Sequence, residues 1–285
     1  MNILVTLNSN YIKQLAVMLT SLIRSNPRVK FDVYIAHSSL SEEDFDLINR
    51  SIDCSMCNII DIKVPESIFE GAPVTERYPK EMYYRIFAAQ YLPEELDRIL
   101  YLDPDIVVIN SIEELYKLDM GSNFFAAASH VKNKRLKKIN AIRLNMPVES
   151  TYINSGVLLI NLKELRKNQS IEEVYEYINN KKLLLVLPDQ DVLNGVYAHK
   201  TIPLDAMVYN LSDRYLALYN ANPKNLANRK DMRWIAHNTS IIHYCGRNKP
   251  WKKSYRGVLG VFYYYFENLA KKQVHYRSNS VSPSP

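Results

Sequence analysis

Six strand-like apolar runs separated by helical patterns constrain this chain more than any other feature. They fall at 2–7 (NILVTL), 31–37 (FDVYIAH), 58–64 (NIIDIKV), 98–109 (RILYLDPDIVVI), 124–129 and 157–162 (VLLINL). Between the first two, Ile12, Leu15, Leu19, Leu22 and Ile23 share one helical face, and SEEDFDLINRSI opens with a Ser-x-x-Asp capping box at Ser41. Strand, helix, strand, helix in this order predicts an α/β fold with a mostly parallel sheet. A further helix, KEMYYRIFAAQYL, is expected to end before Pro93, and Ser170 with Glu173 is expected to cap SIEEVYEYINNKK. No repeat and no long linker interrupts the pattern before residue 250, so one domain over 1–256 is expected.

From Gly257 the texture changes. In GVLGVFYYYFENLAKKQ, Val258, Phe262, Tyr265, Phe266 and Leu269 recur at helical spacing beside Lys271 and Lys272. This basic, aromatic C-terminal segment, 257–285, is either a terminal helix docked on the domain or a helix lying on an anionic membrane surface. Its tail, SNSVSPSP, is expected to be disordered.

Of the 285 residues, 47% are hydrophobic and 23% charged, as in water-soluble globular chains, and no run approaches the ~18 apolar residues of a membrane span. The start, MNILVTLNSNY, lacks the basic flank and cleavage site of a secretory signal, so a cytoplasmic protein is expected, with the C-terminal segment a candidate for peripheral contact with the inner face of the membrane. Cys54 and Cys57 form a lone CxxC that Cys245 cannot complete into a zinc site, and reduced thiols are expected. The net charge of +6 favours an anionic partner, but charge alone does not choose one; no nucleic-acid partner is expected. With 7 glycines and neither GxGxxG nor GxxxxGK[ST], any bound phosphate must be held by another device, such as a metal ion with Lys or Arg.

The run 98–109 contains the sharpest anomaly. Its apolar flanks read as a buried strand, yet it carries Asp103 and Asp105 around Pro104. An ionised carboxylate in such surroundings costs several kcal/mol unless a cation or hydrogen bonds offset it. Pro104 stiffens the segment and biases Asp103 towards extended backbone. Two hard oxygen ligands at that spacing suit Mg²⁺ or Mn²⁺ bridging a diphosphate, whereas the rival reading is a simple surface turn. Near the other end, IIHYCGRNKPW (241–251) places His243, a good Mn²⁺ ligand, after two apolar residues, followed by Gly246, Lys249, Pro250 and Trp251.

DPD, NSGVLLIN, LPDQDVLN and HYCGRNKPW, in this order, resemble family 8 of the glycosyltransferases, in particular the bacterial lipopolysaccharide galactosyl- and glucosyltransferases. The likeness runs from residue 2 to about residue 255. It implies a GT-A fold, with a Rossmann-like nucleotide-binding half merged with an acceptor half. It also implies transfer of a hexose from UDP-glucose or UDP-galactose to a carbohydrate acceptor, an envelope or lipid-linked glycan, with retention of the anomeric configuration and Mn²⁺ (or Mg²⁺) as cofactor.

By the same resemblance, Asp103, Asp105 and His243 hold the metal and Asp103 also touches ribose. Gly246 and Lys249 meet the diphosphate. Thr6, Asn8, Asn10 and Tyr11 meet the uridine, and Arg85 lies near the donor. Asp189, Gln190 and Asn154 line the sugar, with Gln190 and Asp191 the catalytic candidates. Gln190 is a weak nucleophile suited to steadying an oxocarbenium-like centre; Asp191 is the stronger one. Same-face attack with Gln190 in the steadying role is the expected mechanism.

Two departures stand out. Relatives often begin SDDNY where this chain has LNSNY, so Asn8 replaces a carboxylate, and Ser129 and His130 lie near a position where many relatives carry Asp. The alternatives to a transferase are a metal-dependent phosphohydrolase, whose DxDx[TV] motif also follows an apolar strand, and a catalytically silent nucleotide-sugar-binding domain. The basic run Lys132, Lys134, Arg135, Lys137 and Lys138 reads as a solvated face, as a lid, or as a contact for an anionic acceptor.

Overall fold

The computed structural model describes residues 1–52, 55–69 and 81–280. Its strands are β1 (Asn2–Thr6), β2 (Phe31–His37), β3 (Cys57–Lys63), β4 (Arg98–Leu102), β5 (Ile106–Val108), β6 (Phe125–Ala128), β7 (Val157–Asn161), β8 (Thr201–Leu204) and β9 (Ile241–His243). Seven form one sheet in the order β3-β2-β1-β4-β7-β6-β8, while β5 and β9 pair in a second. The first four strands run parallel, and β7 is antiparallel to both neighbours. This is the mixed, mostly parallel sheet flanked by helices that the alternating pattern predicts.

Both faces of the central strands are buried, which explains why those strands read as continuous apolar runs. Leu4, Tyr34, Ile99, Tyr101, Leu158 and Ile160 enter one core. Their neighbours Ile3, Val5, Val33, Ile35, Leu100 and Leu159 enter the other. Helix α1 (Ile12–Ser25) buries all five residues of its expected face. Helix α2 (Glu42–Ser51) starts at the predicted box, where Ser41 Oγ accepts from the Asp44 amide and Asp44 Oδ2 accepts from the Ser41 amide. Ser170 likewise accepts from the Glu173 amide at the start of the Ile171–Lys181 helix.

Three expectations change. The run 98–109 is two strands in two sheets, because Pro104 has no amide for a ladder and the Asp-Pro-Asp turn redirects the chain. The helix expected over 80–92 breaks into Glu81–Tyr84 and Ala88–Tyr91, with Arg85 in the break; its first residue lies outside the described residues. The last helix, Gly260–Ser280, takes in the first residues of the expected disordered tail, and 281–285 lie outside the described residues, as does Cys54.

That last helix docks on the body. Leu259, Tyr263, Phe266 and Ala270 are buried with Val17, Tyr215 and Ile242, whereas Val258 and Tyr265, two of the residues read at helical spacing, are exposed. Among the described residues no helix is long and apolar enough to cross a membrane.

Candidate active site and metal centre

The site forms at one edge of the large sheet. Because β1 and β4 are parallel, Thr6 and Asp103 lie at the same carboxyl edge, where ligands of open α/β sheets bind. Strand β7 runs the other way, so Asn154 to Gly156, just before it starts, reach that edge too. Asp103 donates its amide to the Gly156 carbonyl at 2.9 Å. A Cβ on Gly156 would lie 2.7 Å from Asp103 Oδ2 and closer still to the His243 ring, so only glycine fits.

His243 arrives by strand pairing. Register in the small sheet sets Ile106 opposite His243, and the Tyr244 amide donates to the Asp105 carbonyl at 3.0 Å. Asp103, Asp105 and His243 each then offer a ligand atom, all within 4.8 Å of one another. His243 Nε2 lies 3.2 Å from Asp105 Oδ1 and 3.7 Å from Asp103 Oδ2.

A relay of amides fixes which imidazole nitrogen faces the carboxylates. The Gly156 amide donates to Asn154 Oδ1, which settles the orientation of the Asn154 side chain and leaves its Nδ2 to donate to Gln190 Oε1 at 2.9 Å. Asn210 Nδ2 donates to the same Asn154 oxygen at 2.9 Å. Asn210 Oδ1 is therefore the atom 3.0 Å from His243 Nδ1, and Nδ1 carries the proton it accepts. In the neutral ring, Nε2 is then a lone pair aimed at two carboxylates. Three lone-pair donors converging with no proton between them fit a divalent cation, and an outer partner on the second nitrogen is the usual device for orienting a ligating histidine.

Asp105 is buried, and burial alone would raise its pKa. The His243 ring when it is charged, and the Lys249 ammonium, which bonds Asp105 Oδ2, outweigh that and hold it well below the usual carboxylate range. Arg85, freed by the helix break, reaches Asp103 Oδ1 at 3.2 Å and Asp189 Oδ2 at 3.3 Å, and donates to the Ser155 carbonyl. Burial opposes its charge, but Asp103, Tyr101, Asp189 and Asp105 together raise its pKa. Its guanidinium sits 4.5 Å above the Tyr101 ring. Tyr101 donates to Asp103 Oδ1 at 2.5 Å and accepts from the Thr6 hydroxyl at 3.0 Å.

A cleft of ≈ 360 Å³ opens over these groups, lined by Thr6, Asn8, Tyr11, Arg85, Asp103, Asp105 and Asp189, and by Glu81 beyond the expected set. Asn8 accepts from the Asn10 amide and starts the single turn Ser9–Tyr11 that turns Tyr11 towards Trp251, edge to face at 6.3 Å. Asn10 is exposed and outside the lining. Gly246, at φ +82°, is exposed on the turn before Lys249, a backbone geometry that favours glycine.

The Pro188–Tyr197 helix divides the second acidic motif between two environments. Asp189 accepts from Ser155 Oγ at 3.0 Å and faces the cleft. Gln190 is buried against Asn154. Asp191 is 0% exposed, with Arg143 donating to both oxygens at 2.6 and 2.9 Å, the Tyr152 hydroxyl at 2.6 Å, and the Val186 and Leu187 amides closing the set. Burial works against that charge, yet Arg143, Tyr152 and the amides lower its pKa. The carboxylate expected to be the stronger nucleophile is thus engaged on both oxygens, away from the cleft.

Sequence reasoning missed Asn210, Tyr101, Glu81 and the Arg143–Tyr152 pair. Asn210 stands out in the sequence only as part of an Asn-Leu-Ser triplet. His130, at the departure from the family pattern, donates from Nε2 to the Asn210 carbonyl at 2.6 Å, and burial pushes its pKa down to about 4.

A Rossmann-like, mostly parallel sheet whose carboxyl edge presents Asp-x-Asp to a cleft is the GT-A class of fold. The model of the family "Glycosyl transferase family 8" matches residues 2–254, and the chain belongs to that family. It is 28% identical over 256 residues to lipopolysaccharide 1,2-glucosyltransferase of Escherichia coli (strain K12), covering 89% of this chain and 73% of that one. It is 26% identical to general stress protein A of Bacillus subtilis (strain 168), covering 95% and 94%. Its fold matches that of the galactosyltransferase LgtC solved in complex with donor and acceptor sugar analogues, with a TM-score of 0.77 at 24% identity over 94% and 96% of the two chains.

Proposed function

We propose that this family 8 glycosyltransferase moves a hexose, glucose or galactose, from a UDP-sugar to a carbohydrate acceptor of the envelope or lipid-linked kind, with retention and with Mn²⁺ or Mg²⁺. The observation that carries the reading is the convergence of Asp103, Asp105 and His243 Nε2 at the edge of a cleft that Thr6, Asn8 and Tyr11 also line. The relatives' names support the substrate class, since one is a lipopolysaccharide glucosyltransferase and LgtC is a galactosyltransferase.

In this reading Asp103, Asp105 and His243 hold the cation, which when bound supplies positive charge against the developing diphosphate. Thr6, Asn8, Asn10 and Tyr11 take the uridine, Tyr11 by stacking, and Asp103 also meets the ribose. Lys249 exchanges its bond to Asp105 for the diphosphate, with Gly246 giving the turn freedom to follow. Arg85 orients Asp103 and Asp189, and Asp189 and Asn154 hydrogen-bond the sugar hydroxyls. The bond from the anomeric carbon to the diphosphate breaks and the acceptor oxygen attacks on the same face. Its proton passes to a diphosphate oxygen. Gln190, its amide oxygen held by Asn154, steadies the oxocarbenium-like centre. Asp191, engaged by Arg143 and Tyr152, braces the helix that carries Gln190. A cytoplasmic location belongs to the same reading.

Thermal-shift titration of UDP with and without Mn²⁺ tests the centre: the reading requires metal-dependent binding that Asp105→Ala abolishes, and metal-independent binding removes it. Product analysis with UDP-glucose and UDP-galactose then names the donor. UDP binding without turnover of either sugar would make the chain a silent binding domain, and a glycosyl adduct trapped on Asp191 of the unaltered enzyme would overturn same-face attack.

A further inference from the structure

Half of the exposed large hydrophobic side chains among the described residues fall in two short segments, 136–148 and 183–187. The first lies on the Lys134–Leu144 helix, whose Ala141 and Leu144 face the core. At 3.6 residues per turn, Leu136, Ile139 and Ile142 form a stripe on the side away from those two. Ile142 is 70% exposed. The second segment presents Leu183, Val186 and Leu187, with Leu183 at 89%. Arg143 donates to the Leu184 carbonyl at 2.8 Å and pairs with Asp191, so the two segments are joined. Through Asp191 and Gln190 they adjoin the candidate site.

Charge identifies what fits it. Residues 131–148 contain six Lys or Arg and no Asp or Glu, and 181–187 add two Lys and again no acid. Lys134, Arg135 and Lys138 are exposed among the aliphatic residues. A second copy is a poor occupant, because a twofold contact sets a patch against its own image and would oppose cation to cation. A soluble acidic protein would be gripped mainly by aromatic and arginine anchors in shaped pockets, whereas these apolar residues are all aliphatic. An anionic bilayer needs no shape match: it accepts aliphatic side chains at the headgroup boundary and attracts the lysines between them.

We infer that the face formed by the Lys134–Leu144 helix and the 183–187 segment seats the protein on an anionic lipid surface, beside the cleft rather than through the C-terminal helix. This is independent of the proposed reaction. Vesicle flotation of the full chain tests it, with phosphatidylcholine vesicles against vesicles that also contain phosphatidylglycerol. The pairs Ile139→Asp with Ile142→Asp and Lys134→Glu with Lys138→Glu probe the face, and Val261→Asp with Tyr265→Asp probes the exposed side of the last helix. Circular dichroism and melting curves confirm that each variant folds.

The expected result is binding only to the anionic vesicles, reduced at least about tenfold by either pair on the face and unchanged by the pair on the last helix. Four results would overturn the inference. They are equal binding to both vesicle types, no binding to either, loss only with the last-helix pair, and light scattering that shows a lipid-free dimer split by the face substitutions.

Discussion

The chain contains two Asp-x-Asp triplets close to one cleft, and the fold gives them opposite fates. Asp103-Pro104-Asp105 spans the turn between β4 and β5, where its two carboxylates converge with His243. Asp189-Gln190-Asp191 opens a helix, where residues two apart point about 200° around the axis from each other. Asp189 therefore meets Arg85 and Ser155 at the cleft, while Asp191 meets Arg143 and Tyr152 inside the protein. Spacing in a motif carries chemistry only through the backbone it sits on. One triplet is a candidate ligand pair, and the other is a cleft-facing residue joined to a structural one.

Substitutions that treat the triplets alike should separate them. The largest effect is expected from Asp105→Ala, a loss of transferase activity of roughly a thousandfold with folding retained, read by initial rates and melting curves. Asp191→Ala should act mainly on stability, because it leaves Arg143 and Tyr152 facing an empty buried position; about 3 kcal/mol is expected in urea denaturation. Equal activity losses without destabilisation at both positions would break the comparison.

The pH dependence sharpens it. Asp191 has a folded pKa depressed below its unfolded value, so its contribution is fully present above the unfolded carboxylate range and is lost as pH falls through the folded pKa. The stability gap between the parent protein and Asp191→Asn should be constant near neutrality and shrink as pH drops below about 4. A gap unchanged down to pH 3 would count against the Arg143 pairing. The smallest effect is expected at Asn210→Ala, which frees His243 Nδ1: Mn²⁺ affinity, read by titration calorimetry in the absence of sugar, should fall about tenfold while Asp191 stays paired.

The strands and caps were legible because they rest on local patterns: apolar runs at β1, β2, β3, β6 and β7, and serines three residues before an acid at Ser41 and Ser170. The candidate metal ligands Asp103 and Asp105 stood out because an acidic pair in an apolar run is locally anomalous. What the sequence hid is non-local. Nothing near 98–109 announces that its second half leaves the sheet to pair with 241–243, and only that partner makes the break at Pro104 favourable. Arg85 escaped as a helix-breaking position because KEMYYRIFAAQYL contains no Gly or Pro to mark a stop before Pro93, yet the break is what lets its guanidinium reach Asp103 and Asp189. Asn210 and Tyr152 have no signal of their own; their roles come entirely from the residues opposite them.

The pairing of β5 with β9 has a consequence for the order in which the protein becomes competent. Asp103 and Asp105 precede their third partner by some 140 positions, so the cluster closes only when the most sequence-distant strand pairing among the described residues forms. A ribosome-bound chain that already holds both aspartates has an acidic turn and no centre. Side chains alternate along a strand, so a slip of one position between β5 and β9 would turn His243 away from both carboxylates. In the proposed reading, cation affinity is thus a readout of completed, correctly registered folding, and a slowly refolding population should acquire it last.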